Sequence, residues 1–115
     1  VVLAGAKPVF VDVEPEYFQI DVAQCQKWCN TQTRAIIPVH LYGSSANMEQ
    51  VMEFANDNRL FVIEDAAQGI GVTWDGQHVG TFGDMGIFSF FADKTITTGE
   101  GGYVVTNSEW QYDRL

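Results

Sequence analysis

Short apolar runs alternate with segments of helical periodicity along this chain, and the alternation leaves few folds open to it. The stretches at 34–39, 60–63 and 87–91 are short and carry β-branched and aromatic residues, whereas 21–30 and 47–58 space their apolar side chains three and four apart. Strands joined through helices pair in parallel, because each helix returns the chain to the starting edge of the sheet. The expected fold class is α/β with a mainly parallel sheet.

Taken in order, 8–13 reads as a first strand, ended by Glu14 and Pro15. Asp21 can cap a helix with Gln24 at its third position, and Val22, Cys25 and Trp28 or Cys29 form the apolar face. Asn30 and Thr31 are expected to end it. In 34–39, Ile36, Ile37 and Val39 suggest a strand buried on both faces. Asn47 and Gln50 repeat the capping pattern before a second helix with the stripe Met48, Val51, Phe54 and Ala55, stopped by Asn56, Asp57 and Asn58. The strand at 60–63 runs into Glu64 and Asp65, so two acids stand at the carboxyl end of a buried strand, where open α/β sheets bind ligands.

A Gly-rich stretch follows, with a tight turn expected at Asp75-Gly76. Strands return at 87–91 and 102–106. The link between them is too short for a crossover helix, so the last strand is expected to run antiparallel to its neighbour. Ser108 is placed to cap a final helix.

At 115 residues the chain has room for one modest core and not for two ordinary domains. Its formal charge of -9 argues against nucleic acid and anionic membrane surfaces as partners, since both repel it at long range. A bound phosphate would have to be held locally, by hydroxyls and backbone amides. The opening apolar run is broken by Gly5, Lys7 and Pro8, unlike a signal peptide or a membrane span. The chain is expected to be the middle of a longer one. Cys25 and Cys29, four apart on a helix, read as free thiols in a reducing compartment.

Lys94 is the informative lysine. Only Lys7 and Lys27 accompany it, and it alone stands between an aromatic strand and a run of small and hydroxylated residues. Asp65 at one strand end and Lys94 beyond another suit pyridoxal phosphate, whose aldehyde condenses with an amine and whose ring nitrogen needs a carboxylate to stay protonated. Ser89 could bind the phosphate, and Gln68 the ring hydroxyl or a phosphate oxygen. Phe88, Phe90 and Phe91 could wall off water. Plainer roles are open for each: a turn residue for Asp65, a solvated surface residue for Lys94, a structural histidine for His40 and an exposed one for His78. Gly99-Glu100-Gly101-Gly102 fits a phosphate cradle or a simple turn. Neither a Gly-x-x-x-x-Gly-Lys-Ser/Thr loop nor a Gly-x-Ser-x-Gly elbow occurs.

Four motifs carry a resemblance: Pro-Val-His-Leu-Tyr-Gly at 38–43, Ile-Glu-Asp-Ala-Ala-Gln at 63–68, Gly-Thr-Phe-Gly-Asp at 80–84, and Phe-Ser-Phe-Phe-Ala-Asp-Lys-Thr-Ile-Thr-Thr-Gly-Glu-Gly-Gly at 88–102. Their wording and order resemble the DegT/DnrJ/EryC1/StrS sugar aminotransferases, and the likeness covers nearly the whole chain. It implies the central part of the large domain of a fold-type I enzyme dependent on pyridoxal 5'-phosphate. Lys94 aligns with the cofactor-binding lysine, Asp65 with the partner of the ring nitrogen, Gln68 with the contact near the ring hydroxyl, and Ser89 with a phosphate ligand.

Within the family the wording at 94–102 is most similar to the perosamine synthases. The resemblance therefore implies a cytoplasmic homodimer that moves an amino group from glutamate to a nucleotide-linked 4-keto-6-deoxy sugar, in lipopolysaccharide or other cell-surface polysaccharide biosynthesis. Relatives with histidine in place of the lysine are dehydratases, and the lysine here favours transamination. A non-catalytic sugar-sensing or structural module is the rival expectation. The family's upstream Gly-Thr phosphate segment and ring-stacking aromatic would precede Val1, and its small carboxyl-terminal domain would follow Leu115.

Overall fold

The computed structural model describes residues 1–115. Its centre is a four-stranded sheet of β1 (Ala35–Ile36), β2 (Phe61–Asp65), β5 (Met85–Ser89) and β6 (Gly102–Val105), in that spatial order. β1, β2 and β5 are parallel, and β6 runs antiparallel to β5 as its short connection requires. A separate two-stranded ribbon, β3 (Thr73–Trp74) and β4 (Gln77–His78), turns at Asp75-Gly76. Both turn residues have positive φ, 47° and 80°, the geometry in which a two-residue hairpin matches the twist of its strands.

The helices start where side chains satisfy their free amides. Asp21 accepts bonds from the N–H groups of Ala23 and Gln24 ahead of α1 (Val22–Trp28). Asn47 accepts from Gln50 N–H at 3.0 Å ahead of α2 (Met48–Asn58), and Ser108 from Gln111 N–H ahead of α3 (Glu109–Tyr112). Residues 56–58 belong to the last turn of α2 rather than ending it. The stop is Arg59, left-handed at φ 56°, whose N–H closes onto the Ala55 and Asn56 carbonyls.

Both long helices pack on one face of the sheet. Val22 and Cys25 of α1 and Met48, Val51, Phe54 and Ala55 of α2 join Ile36 and Val62 in the main core. At the end of α1 it is Cys29 that reaches this core, while Trp28 is exposed. Both cysteines are free, and burial, aided by the Asp21 charge, pushes the Cys25 thiol pKa up. A second cluster, Ala66, Val79 and Phe88, lies beneath the ribbon.

Two strand expectations fail. Residues 8–13 form no strand of the sheet, and only an isolated bridge joins Val13 to Ile20. The Glu14 carboxylate takes the N–H groups of Glu16, Tyr17 and Gln19, so the chain folds back on itself directly after this segment, and Phe10 is exposed. The 34–39 segment is not buried on both faces either. Ile36 faces the helices, but Ile37 is exposed on the face that no element covers.

Candidate active site

β1, β2 and β5 point the same way, so their carboxyl ends share one edge of the sheet. The chain continues from β1 to a bridge between Val39 and Asp65, and His40 N–H then donates to the Asp65 carbonyl at 3.0 Å. Asp65 ends β2 and Ser89 ends β5. Asp65 pairs with Ile87, two residues before Ser89, so alternation puts Asp65 and Ser89 on the same face, opposite the one that α2 covers. Lys94 lies five residues further on, in the turn between β5 and β6.

Each candidate retains one unused bonding group. Asp65 Oδ1 accepts from Ala67 N–H at 3.1 Å, which shapes the turn after β2 and leaves Oδ2 free. Gln68 Oε1 accepts from Tyr42 N–H at 2.9 Å. A backbone amide can only donate, so the Gln68 oxygen must face it and the NH₂ end is what remains for a ligand. Ser89 Oγ accepts from Phe91 N–H at 3.2 Å and keeps its own proton to donate. Lys94 Nζ lies 3.4 Å from Asp93 Oδ1, its immediate neighbour in the turn. A carboxylate oxygen that accepts, with an amide NH₂, a hydroxyl proton and an amine that donate, is a set that fits pyridoxal phosphate.

The turn carrying Lys94 is closed at its base by backbone bonds, Phe90 N–H to Gly101 at 2.8 Å and Thr98 N–H to Phe90 at 3.1 Å. Thr97 Oγ1 adds a bond to the Phe90 carbonyl and accepts from Gly99 N–H. Gly99 and Gly101, at φ 85° and 135°, thus serve the turn. The aromatic wall expected behind Lys94 is not assembled. Phe88 points to the helix-side face, packs on Ala66 and Val79 and stacks on Tyr103 at 4.6 Å, while Phe91 is exposed. Alternation along β5 turns Phe88 away from the face that carries Ser89.

Sequence reasoning placed Glu64 beside Asp65 at the ligand-binding edge, but the structure turns it into the interior instead. This carboxylate is fully buried and collects four bonds: from His40 Nε2 at 3.0 Å, Gly80 N–H at 2.6 Å, and Phe82 and Gly83 N–H at 2.7 Å each. Burial alone would raise its pKa, but the His40 bond and the three amides outweigh it and hold the carboxyl below its ordinary range. Ala46 N–H donates to His40 Nδ1 at 3.1 Å, so the ring proton sits on Nε2, facing Glu64. His40 therefore takes the structural role. His78 is half-buried rather than exposed, with its Nε2 accepting from Gly71 N–H at 2.9 Å.

Three of the four sequence motifs thus meet at one carboxylate. The 80–83 segment can reach it because Gly80, at φ 83°, and Gly86 lie back to back, where a Cβ on Gly86 would collide with the Gly80 carbonyl. A signal was present in the sequence, since an acid next to Asp65 alternates onto the buried face, where only a satisfied carboxylate can survive.

A family model described as the DegT/DnrJ/EryC1/StrS aminotransferase family matches residues 1–115. The GDP-perosamine synthase of Escherichia coli O157:H7 is 52% identical over 110 residues, a match covering 96% of this chain and 30% of that protein. Among solved structures, an aminotransferase from Psychrobacter cryohalolentis superposes with a TM-score of 0.91 at 41% identity, over 94% of this chain and 28% of that one. A variant of the GDP-4-keto-6-deoxymannose-3-dehydratase ColD with bound GDP-perosamine superposes at 0.81 with 33% identity, over 87% and 26% of the two chains. The chain therefore spans about a third of the length of the relatives it matches.

Proposed function

Because the chain belongs to the DegT/DnrJ/EryC1/StrS aminotransferase family, we propose that it is the cofactor-holding part of the large domain of a pyridoxal-phosphate-dependent nucleotide-sugar aminotransferase. The acceptor is a GDP-linked 4-keto-6-deoxy sugar, the product GDP-perosamine and the donor glutamate. The whole enzyme acts as a cytoplasmic homodimer supplying cell-surface polysaccharide. This reading is supported by the free bonding capacity that Asp65, Gln68 and Ser89 keep at the carboxyl edge of the sheet, with Lys94 in the turn that follows β5.

Pyridoxal phosphate, when bound, draws electrons away from the reacting substrate carbon. Lys94 would hold the cofactor's aldehyde carbon through its amine, and that amine would carry the proton at the reacting substrate carbon. Asp65 Oδ2 keeps a proton at the ring nitrogen. The Gln68 NH₂ donates beside the ring hydroxyl, and the Ser89 hydroxyl donates to the phosphate. Lysine rather than histidine at 94 favours amino transfer over dehydration.

Borohydride reduction of the full-length protein, followed by peptide mass spectrometry, is expected to fix a pyridoxyl group on Lys94. Lys94→Ala should lose that adduct and slow amino transfer by more than about 10²-fold, the usual contribution of a positioned acid–base group. An adduct on Lys7 or Lys27 instead, or full activity in Lys94→Ala, would overturn the assignment.

A further inference from the structure

Tyr42 is the residue at this edge to which the functional reading assigns no task. It sits in the tight turn Leu41–Gly43 with φ 54° and ψ 32°, a left-handed backbone that a bulky side chain resists. Side chains from two distant segments hold the turn. Gln19, buried, brackets Leu41 by accepting from its N–H at 3.3 Å and donating Nε2 to its carbonyl at 3.2 Å. Gln68 Oε1 takes the Tyr42 N–H at 2.9 Å, and His40, just before the turn, is fixed between Glu64 and Ala46.

A glycine at 42 would adopt this backbone freely, as Gly43 does beside it at φ 73°. Within these 115 residues no packing offsets the strain, for Tyr42 is 81% exposed. Polar groups thus hold a disfavoured backbone around a side chain that these 115 residues leave open, a pattern found where a side chain serves a ligand. Its place agrees. Tyr42 follows β1, Lys94 follows β5, and Asp65 ends β2 between them. The Tyr42 amide also binds the amide group whose other end faces the cofactor in the reading above.

We propose that the Tyr42 ring is a substrate-contacting, specificity-determining group that takes the C–H face of the hexose in the nucleotide-linked sugar, with its phenol offered to a sugar hydroxyl. An apolar ring with a polar tip suits that surface. The hexose is the part in question because it carries the reacting carbon and so lies next to the cofactor, with the nucleotide further off. This inference rests on the aminotransferase reading.

The test is calorimetric titration of the full-length, cofactor-loaded protein with GDP-perosamine and, separately, with GDP. Tyr42→Gly removes the ring and relaxes the backbone, whereas Tyr42→Phe keeps the ring. Tyr42→Gly is expected to weaken GDP-perosamine binding by about tenfold or more, with GDP affinity, cofactor absorbance and subunit association unchanged. Tyr42→Phe should retain most of the affinity. Equal GDP-perosamine affinity in Tyr42→Gly and the unaltered protein overturns the proposal. So does a loss of GDP affinity, cofactor or subunit association in Tyr42→Gly, which would assign the ring to the nucleotide, the cofactor site or an interface. Failure of the unaltered protein to bind GDP-perosamine overturns the functional reading, and this inference falls with it.

Discussion

At the scale of single residues, Glu64 shows how a charge can organise a site without belonging to it. Its carboxylate joins the turn after β1, the end of β2 and the 80–83 segment, and the residue after it is Asp65. Replacing one oxygen by NH₂ in Glu64→Gln sets a donor against donors in a fully buried site. Unfolding in urea should show the variant less stable by about 3 kcal/mol at neutral pH. The pH dependence has a definite sign. Because the folded carboxyl titrates below its ordinary value of 4.5, the folded state binds fewer protons than the unfolded one as acid is added. The stabilisation is full above the unfolded pKa and fades as pH falls through the folded one. Glu64→Gln should therefore lose less stability between neutral pH and pH 3 than the unaltered protein, and parallel acid profiles would disprove this account.

At the scale of elements, capping chemistry, the parallel sheet and its reversed last strand were legible in the sequence, and the path of the 8–13 segment was not. Asn47→Ala should destabilise the protein by about 1 kcal/mol in thermal or urea unfolding, because it frees the Gln50 amide at the start of α2, while Asn47→Asp should cost less because it still accepts that bond. The helix starts at Asp21, Asn47 and Ser108 depend on contacts within four residues, so the local pattern contains them. The Asp75-Gly76 turn and the reversed last strand follow in the same way from turn chemistry and connection length. The 8–13 segment has equally good strand residues, but Glu14 diverts the chain with bonds that no apolar periodicity records. The candidate site divides along the same line. Asp65, Gln68, Ser89 and Lys94 could be marked from their motifs, whereas the strained Tyr42 turn and the Glu64 junction exist only once residues 19, 40, 64 and 80–83 come together in space.

At the scale of the whole molecule, the sheet is covered on one face only. Register places Ala35 beside Phe61, Ile63 beside Met85, and Ile87 beside Val104, all on the face away from α1 and α2. Phe61 remains 56% exposed, Val104 42% and Ile87 36%, so an apolar strip crosses all four strands. An uncovered strip of this kind drives association, since hiding it removes apolar surface from water at about 25 cal/mol per Å². The formal charge of -9 opposes that attraction, and salt screens the repulsion. The 115-residue chain should accordingly self-associate as its concentration rises, and more strongly at 0.5 M than at 0.05 M salt, an expectation of screening over roughly a Debye length. Light scattering across both conditions checks this. Phe61→Lys places a cation in the strip, on the surface away from the core formed by Val62, α1 and α2. That variant should stay folded and associate less; if it associated as strongly as the unaltered chain, the contact would have to lie elsewhere on the molecule.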